Sequence, residues 1–284
     1  MSEIAIKKPI ILALETSGRI GSVALAVASR LVAEKTFSTP VRHSAEIFPA
    51  ITNLLESSSL GPQQIDHIYI STGPGSFTGL RIAVAFAKIM HLANNSAKIV
   101  AVDTLDCIAS NVIDFQKQTK TEVKKIAAIL DAKRGQFFTA VYERKSITGH
   151  QSSVIRGEKG EGFSEKGVNR AATVRERIKE GMAAQREGFA ECFADCWDKT
   201  VDDCLSTAQE FIERFADSND PVWLLGEGLV FYKKNFEAKG IEFIDDQFWR
   251  PSASKVLLLG YRLALAGRFA DPLSLVPRYI QRPT

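Results

Sequence analysis

The stretch Gly73-Pro74-Gly75-Ser76-Phe77-Thr78-Gly79-Leu80-Arg81 joins a strand-like run, Ile68 to Ser71, to a long apolar helix pattern. A turn of this kind can hold an anion. Its glycines permit positive φ and close approach, and the free amides and dipole of the following helix favour negative charge. Gly-Pro-Gly alone is more often plain turn chemistry. Two acidic turns add to it. Ile10-Ile11-Leu12-Ala13-Leu14-Glu15 leads through a turn to Gly21 and a new strand, and Ile126-Ala127-Ala128-Ile129-Leu130-Asp131 leads through Ala132-Lys133-Arg134 to Gly135 and another. Trp223-Leu224-Leu225-Gly226-Glu227-Gly228, before the helix-like Leu229 to Ala238, is a third strand-turn-helix whose glycines suit backbone approach by a nucleotide base or sugar.

The order of elements that positions these turns is informative. Pro9 to Thr16, Gly21 to Ala28 and Leu31 to Phe37 read as an antiparallel meander. Ser44 to Ser57 then reads as a helix, its apolar stripe being Ile47, Phe48, Ile51, Leu54 and Leu55, with Pro49 bending it. Strand Asp66 to Thr72, the glycine turn, helix Thr78 to Ala93 and strand Lys98 to Asp103 follow. Three antiparallel strands followed by helix, strand, helix, strand differ from a doubly wound nucleotide fold, which alternates from the start. The Ile126 unit repeats the opening, so two related halves facing a cleft are expected, against the plainer reading of two unrelated hairpins.

Composition narrows the setting. At roughly 150 residues per domain, a chain of 284 residues suggests two domains. A net charge of +3 is too small for a nucleic-acid clamp, so contact with an RNA would be shared with a partner. Cys107, Cys192, Cys196 and Cys204 form no recognisable disulfide framework, the run Ile10 to Leu14 is too short for a signal sequence, and no stretch reaches the roughly 20 apolar residues of a membrane span. A reducing, cytoplasmic compartment is expected. Phe189, Cys192, Phe193, Cys196 and Trp197 fit one apolar helix stripe, which favours packing over a thiolate metal site. His43 reads as a capping or surface residue rather than a ligand.

The three turns in this order resemble the actin, sugar-kinase and Hsp70 superfamily. Within it, Ile11 to Ser17, His43-Ser44-Ala45-Glu46, Gly73 to Arg81, Asp131 to Gly135 and Pro277-Arg278-Tyr279-Ile280-Gln281-Arg282 resemble the TsaB (formerly YeaZ) family over about residues 9 to 145 and, more loosely, 205 to 282. The resemblance implies an α/β fold of two duplicated actin-like (ribonuclease H-like) lobes, each with a mixed sheet opening in antiparallel strands. The expected division is an N-terminal lobe at 1–106 with dimerisation helices and a C-terminal lobe at 107–284. The latter carries an insertion at about 146–200 and a last segment able to cross back to the first lobe. Ser206-Thr207-Ala208-Gln209 reads as a capping box where the family pattern resumes. The resemblance further implies a nucleotide-binding set, working or vestigial: Glu15, Thr16, Ser17, Gly73, Gly75, Ser76, Asp131, Gly135, Gly226 and Gly228. Glutamate at 15 stands where the superfamily usually has aspartate, so inherited ATP geometry is in doubt. No cofactor is required, with ATP or ADP binding open either at a complex interface or in a vestigial cleft.

The catalytic relative TsaD carries a His-x-x-x-His metal pair after the corresponding strand; here Thr104 and Ile108 stand at those places. The resemblance therefore implies a non-catalytic scaffold for tRNA N6-threonylcarbamoyladenosine (t6A) formation. Its partners would be TsaD in a heterodimer and TsaE in a ternary complex, with a homodimer when alone, tRNA reached only through the complex, and no membrane. The rival readings are an ATP-dependent phosphotransferase and a nucleotide-sensing module. The helix Thr78 to Ala93 is apolar nearly all round, which implies burial on a second side. The expected partner interface is Ile47, Ile51, Leu54, Phe77, Arg81, Val84 and Lys88.

Overall fold

The computed structural model describes residues 8–38, 43–94, 97–145, 193–216 and 220–280. Three strands open the chain: β1 (Ile10–Glu15), β2 (Ser22–Val27) and β3 (Arg30–Thr36). Helix α1 (His43–Ser57), β4 (His67–Gly73), α2 (Phe77–Ala93) and β5 (Lys98–Asp103) complete the first lobe's sheet and its outer helices. After α3 (Thr104–Ala109) and α4 (Val112–Thr119) come β6 (Lys125–Lys133) and β7 (Gln136–Arg144). The short α5 (Phe193–Cys196) leads directly into β8 (Trp197–Thr207), followed by α6 (Ala208–Phe215), β9 (Val222–Leu225), α7 (Leu229–Tyr232), β10 (Ile241–Phe243) and α8 (Ala253–Leu265).

The two sheets share one topology. The first runs β3-β2-β1-β4-β5 and the second β8-β7-β6-β9-β10, each with two antiparallel pairs followed by two parallel ones. The chain is thus an α/β protein with two lobes built on the same five-stranded mixed sheet. Central strands β1 and β6 read as continuous apolar runs because both faces are covered, whereas the edge strand β3 is largely exposed. Last in the chain, α8 packs on β1, β2, β4 and β5 of the first sheet, with Gly260 set so closely on the Tyr69 ring that a Cβ would lie 2.7 Å from it. The strand-like contact of Ala270 with Ile99, its amide 2.8 Å from the Ile99 carbonyl, then covers the free edge of β5.

Several local expectations shift. Trp197 belongs to β8 rather than to a helix, and residues 197–200 are the start of that strand rather than part of an insertion. Cys192 and Phe189 lie outside the described residues. The helix expected at Leu229 to Ala238 is one turn of α-helix continued by a 3₁₀ turn, Lys233–Phe236. The capping box is one residue later than the sequence suggests: Thr207 accepts from the Glu210 amide at 3.2 Å, and the Glu210 carboxylate accepts from the Thr207 amide at 2.6 Å.

Residues 1–144 and 191–284 form one compact unit; the second, 145–190, lies outside the described residues apart from Lys145. Arg144 and Trp197 are paired across β7 and β8, so the two chain ends that flank this segment are neighbours. Replacing residues 147–191 by a short Gly/Ser linker should therefore leave the two lobes folded. The expected change in unfolding free energy is no more than about 2 kcal/mol, the loop-closure difference. Loss of cooperative unfolding in circular dichroism would show that the segment is part of the lobes' core.

Candidate functional site

Of the four turns, those after β1, β4 and β9 meet where the lobes face each other and hydrogen-bond to one another. Glu15, Thr16 and Ser17 are buried. Glu15 Oε1 accepts from the Ser17 amide at 2.5 Å, from the Gly18 amide at 3.3 Å and from the Ser17 hydroxyl. The Thr16 hydroxyl donates to the Gly79 carbonyl at 2.8 Å, and the Ser76 amide donates to the Ser17 carbonyl at 2.8 Å. The glycine turn is thereby fastened to the first acidic turn. Ser76 caps α2 by accepting from the Gly79 amide at 3.3 Å.

The glycines serve chain-on-chain contact. A Cβ at Gly75, where φ is +155°, would lie 2.6 Å from the Ser17 carbonyl oxygen, and one at Gly73, with φ +125°, would lie 2.5 Å from the Arg278 carbonyl oxygen. Gly226 has φ +125° and abuts the Ile129 backbone, while Gly228 donates its amide to the Ile129 carbonyl at 3.0 Å. Gly135 alone of these faces open space. It ends a hairpin in which Lys133, Arg134 and Gly135 all have positive φ, with Asp131 accepting from the Lys133 amide and ammonium, each at 2.7 Å. Of the set read from sequence, the turns bearing Glu15 to Ser17 and Gly73 to Ser76 are in contact, the Asp131 carboxylate and Gly135 belong to a separate hairpin, and the glycines at 73, 75, 226 and 228 are explained by the approach of the protein's own backbone.

Glu227, between two of those glycines, is the residue whose role the sequence left open. Its Oε2 accepts from the Arg19 amide at 2.7 Å across the two lobes, and it is buried. The Arg19 guanidinium lies over the Phe231 ring, 4.6 Å from its centroid. Burial pushes the carboxyls of both Glu15 and Glu227 up from their ordinary values, against the hydrogen bonds that favour their charged forms.

A second charged cluster ties the lobes at the end of β5, and no sequence motif announced it. Asp103 caps α3 through the amides of Leu105 and Asp106, at 2.8 and 3.2 Å. Lys199 from β8 reaches Asp106 at 2.8 Å, Asp203 at 2.7 Å and Asp103 at 3.8 Å. Arg278 pairs with Asp103 and, at 2.8 Å, with Asp203, while the Tyr142 hydroxyl donates to Asp106 at 2.8 Å. Burial, its hydrogen bond to Asp203 and the neighbouring Asp106 push Asp103 well up. Asp203 sits below its ordinary value: burial opposes this, and its bond to Asp103, Lys199 and Arg278 outweigh it. Thr104 and Ile108, one turn apart on α3, are buried, and an isoleucine side chain has no atom that could ligate a metal.

The expected partner surface needs correction. Ile47, Ile51, Leu54 and Val84 are 0, 6, 5 and 6% exposed and lie in the first lobe's own core. They face the sheet, because a helix that covers it must turn one stripe inward. The outward stripe of α2 is Phe77, Arg81, Ala85, Ile89 and Leu92, with Phe77, Ile89 and Leu92 at 57, 60 and 73% exposure. Tyr279 stacks on Phe77 at 5.5 Å, Arg81 lies over the same ring, and Lys88 reaches the Leu273 carbonyl at 3.4 Å. Leu273 and Val276 extend the apolar surface along the tail. Phe48 of α1, exposed, meets Phe86 edge-on at 6.1 Å.

Fold and site together define a two-lobed α/β protein whose duplicated sheets face a cleft bordered by hydrogen-bonded turns. Comparison with known proteins agrees. The family model of TsaD, the tRNA N6-adenosine threonylcarbamoyltransferase, matches residues 33–164. The Bacillus subtilis tRNA threonylcarbamoyladenosine biosynthesis protein TsaB is 34% identical over 136 residues, covering 48% of this chain and 56% of that protein. Escherichia coli TsaB is 30% identical over 134 residues, covering 47% and 55%. The chain thus spans about half the length of the curated relatives it matches. Among solved structures, YeaZ from Pseudomonas aeruginosa superposes with a TM-score of 0.65 at 17% identity, over 96% of this chain and 100% of that one. A Pseudomonas aeruginosa protein described as similar to peptidase YeaZ gives 0.67 with the same identity and coverage. These two likenesses speak for the fold, and with the sequence matches the resemblance to the TsaB (YeaZ) family holds.

The buried carboxylate at 15 has a pH signature. With its folded value raised, the stability it contributes is full below the ordinary carboxylate range and is lost as pH rises through the folded value. Glu15→Gln keeps an acceptor for Ser17 and Gly18 but has nothing to ionise. The difference in melting temperature, variant minus wild type, should grow as pH is raised from about 4 to about 8. A difference that is flat across that range, or that shrinks, would contradict the assignment.

Proposed function

We propose that this chain is a non-catalytic subunit in t6A biosynthesis that supports a TsaD-family transferase by binding it through the outward stripe of α2. The observation that carries this reading is the row Phe77, Ala85, Ile89 and Leu92, an apolar stripe left exposed on a helix whose other side already covers its sheet. Scattered exposed apolar residues need no explanation, but an apolar stripe that carries Arg81 over the Phe77 ring and Lys88 at its edge has the anatomy of an interface. In the absence of the transferase the same stripe pairs two copies of the chain. The small ATPase TsaE and the tRNA join through the complex. The chemistry belongs to the transferase, since α3 offers Thr104 and Ile108 where a metal pair would stand and the cleft turns are engaged with one another.

The test is reconstitution of t6A formation from TsaD, TsaE and a source of threonylcarbamoyl-adenylate with and without this chain, beside the chain alone. Activity is expected only when it is present together with TsaD, and the isolated chain should show no ATP turnover sensitive to Glu15→Ala or Asp131→Ala. Ile89→Glu, placed on the exposed stripe, should stay folded while weakening capture of TsaD by at least about a hundredfold, because an unpaired charge would be buried in the complex. A folded Ile89→Glu protein that still dimerises and still captures TsaD would move the interface elsewhere.

A further inference from the structure

The tail that follows α8 is anchored in the first lobe. Leu275 is buried in that lobe's core, and further on the Arg278 amide donates to the Thr72 carbonyl at 2.7 Å while its own carbonyl rests against Gly73. Around these anchors the apolar side chains face outward: Leu273, Val276 and Tyr279 are 88, 66 and 52% exposed. A tail whose task was to cover the lobe would turn them inward. They instead prolong the exposed stripe of α2, which Tyr279 joins at Phe77 and the Leu273 carbonyl joins at Lys88.

The side chain of Arg278 answers to both lobes. Its Nη1 meets Asp103, at the end of β5, and, at 2.8 Å, Asp203 on β8 of the second lobe. The Asp203 side chain is fully buried and that of Asp103 nearly so, and Lys199 already serves these two together with Asp106. Three carboxylates against one lysine leave the cluster short of positive charge. Buried carboxylates brought together from different lobes repel unless a second cation stands between them, and Arg278 is that cation. Its side chain is half-exposed, so the carboxylates hold it in place more than packing does. The seat exists only while the lobes keep Asp103 and Asp203 within reach of one nitrogen.

We infer that Arg278 is a positioning residue for partner capture, converting the arrangement of the two lobes into the placing of Tyr279 on Phe77. The surface offered to a partner is then a composite of α2 and the tail, and its last piece is set by a carboxylate of the other lobe. This rests on the reading of the α2 stripe as the transferase-binding surface. It adds that Asp203, in a different lobe from the stripe, governs affinity through Arg278.

The experiment measures hydrogen exchange at the Arg278 amide and capture of TsaD for the full chain and its variants, with Ile89→Glu as the control for the stripe. Asp203 is the carboxylate to alter, because Asp103 also caps α3. Asp203→Asn and Arg278→Gln should each speed exchange at Arg278 by at least about tenfold and weaken capture by about fivefold or more. The double variant should bind no more weakly than the worse single one, because both changes remove the same contact. A general loss of stability would add instead. Arg278→Lys, which keeps a cation for the two carboxylates, should retain more affinity than Arg278→Gln. Arg278→Gln alters a half-exposed side chain and decides the matter should Asp203→Asn not fold. Exchange or capture unchanged in the folded variants, while Ile89→Glu weakens capture, would overturn the inference and leave the stripe standing. Additive losses in the double variant would overturn it as well. Capture that survives Ile89→Glu would remove the stripe itself, and the inference with it.

Discussion

The amide of Ser76 donating to the carbonyl of Ser17 is the contact on which the rest of the cleft depends. It requires the glycine turn to lie against the first acidic turn with no Cβ between them, which only Gly75 allows. With that contact made, the Thr16 hydroxyl reaches the first turn of α2 and the Ser17 and Gly18 amides face Glu15. The Arg19 amide is left pointing at the other lobe, where Glu227 meets it. The position of α2, and so the direction of its exposed stripe, is inherited from this junction at its N-terminus.

Much of this was legible in sequence because apolar runs and turn residues are local signals. Strands β1, β4, β5 and β6 are apolar enough to be read directly, and the glycine turns mark their ends. Strand β8 was not legible. Its sequence, Trp197-Asp198-Lys199-Thr200-Val201-Asp202-Asp203-Cys204, alternates on an edge whose outer side is solvated, so charge dilutes the pattern. A long segment also separates it from β7. The duplication held the missing signal: a first lobe that opens with three antiparallel strands calls for a third strand after β7.

The expected partner surface divides between core and exterior for a related reason. Periodicity shows that α2 is apolar on two sides, but it does not say which side meets the sheet. Val84 and Phe77 belong to opposite answers, one in the core and one at the surface. The tail supplies information that helical spacing lacks, since Tyr279 on Phe77 and Leu273 beside Lys88 mark the outward face. Long-range contacts of this kind join residues nearly two hundred positions apart, beyond any pattern within one helix.

The charged cluster at the end of β5 links those two regions. Arg278 is bound by its amide to the Thr72 carbonyl at 2.7 Å and by its side chain to the Asp103 and Asp203 pair, one carboxylate from each lobe. Its neighbour Tyr279 is thereby set on Phe77, at the start of the exposed stripe. Any change in how the lobes meet would alter the separation of Asp103 and Asp203, and with it the seat of Arg278 and the ring next to it. The cleft and the outer surface of α2 are thus mechanically continuous through one residue of the tail, although no ligand site lies between them among the contacts that join them. A molecule seated on Phe77 and Tyr279 would thereby favour one arrangement of the lobes over others.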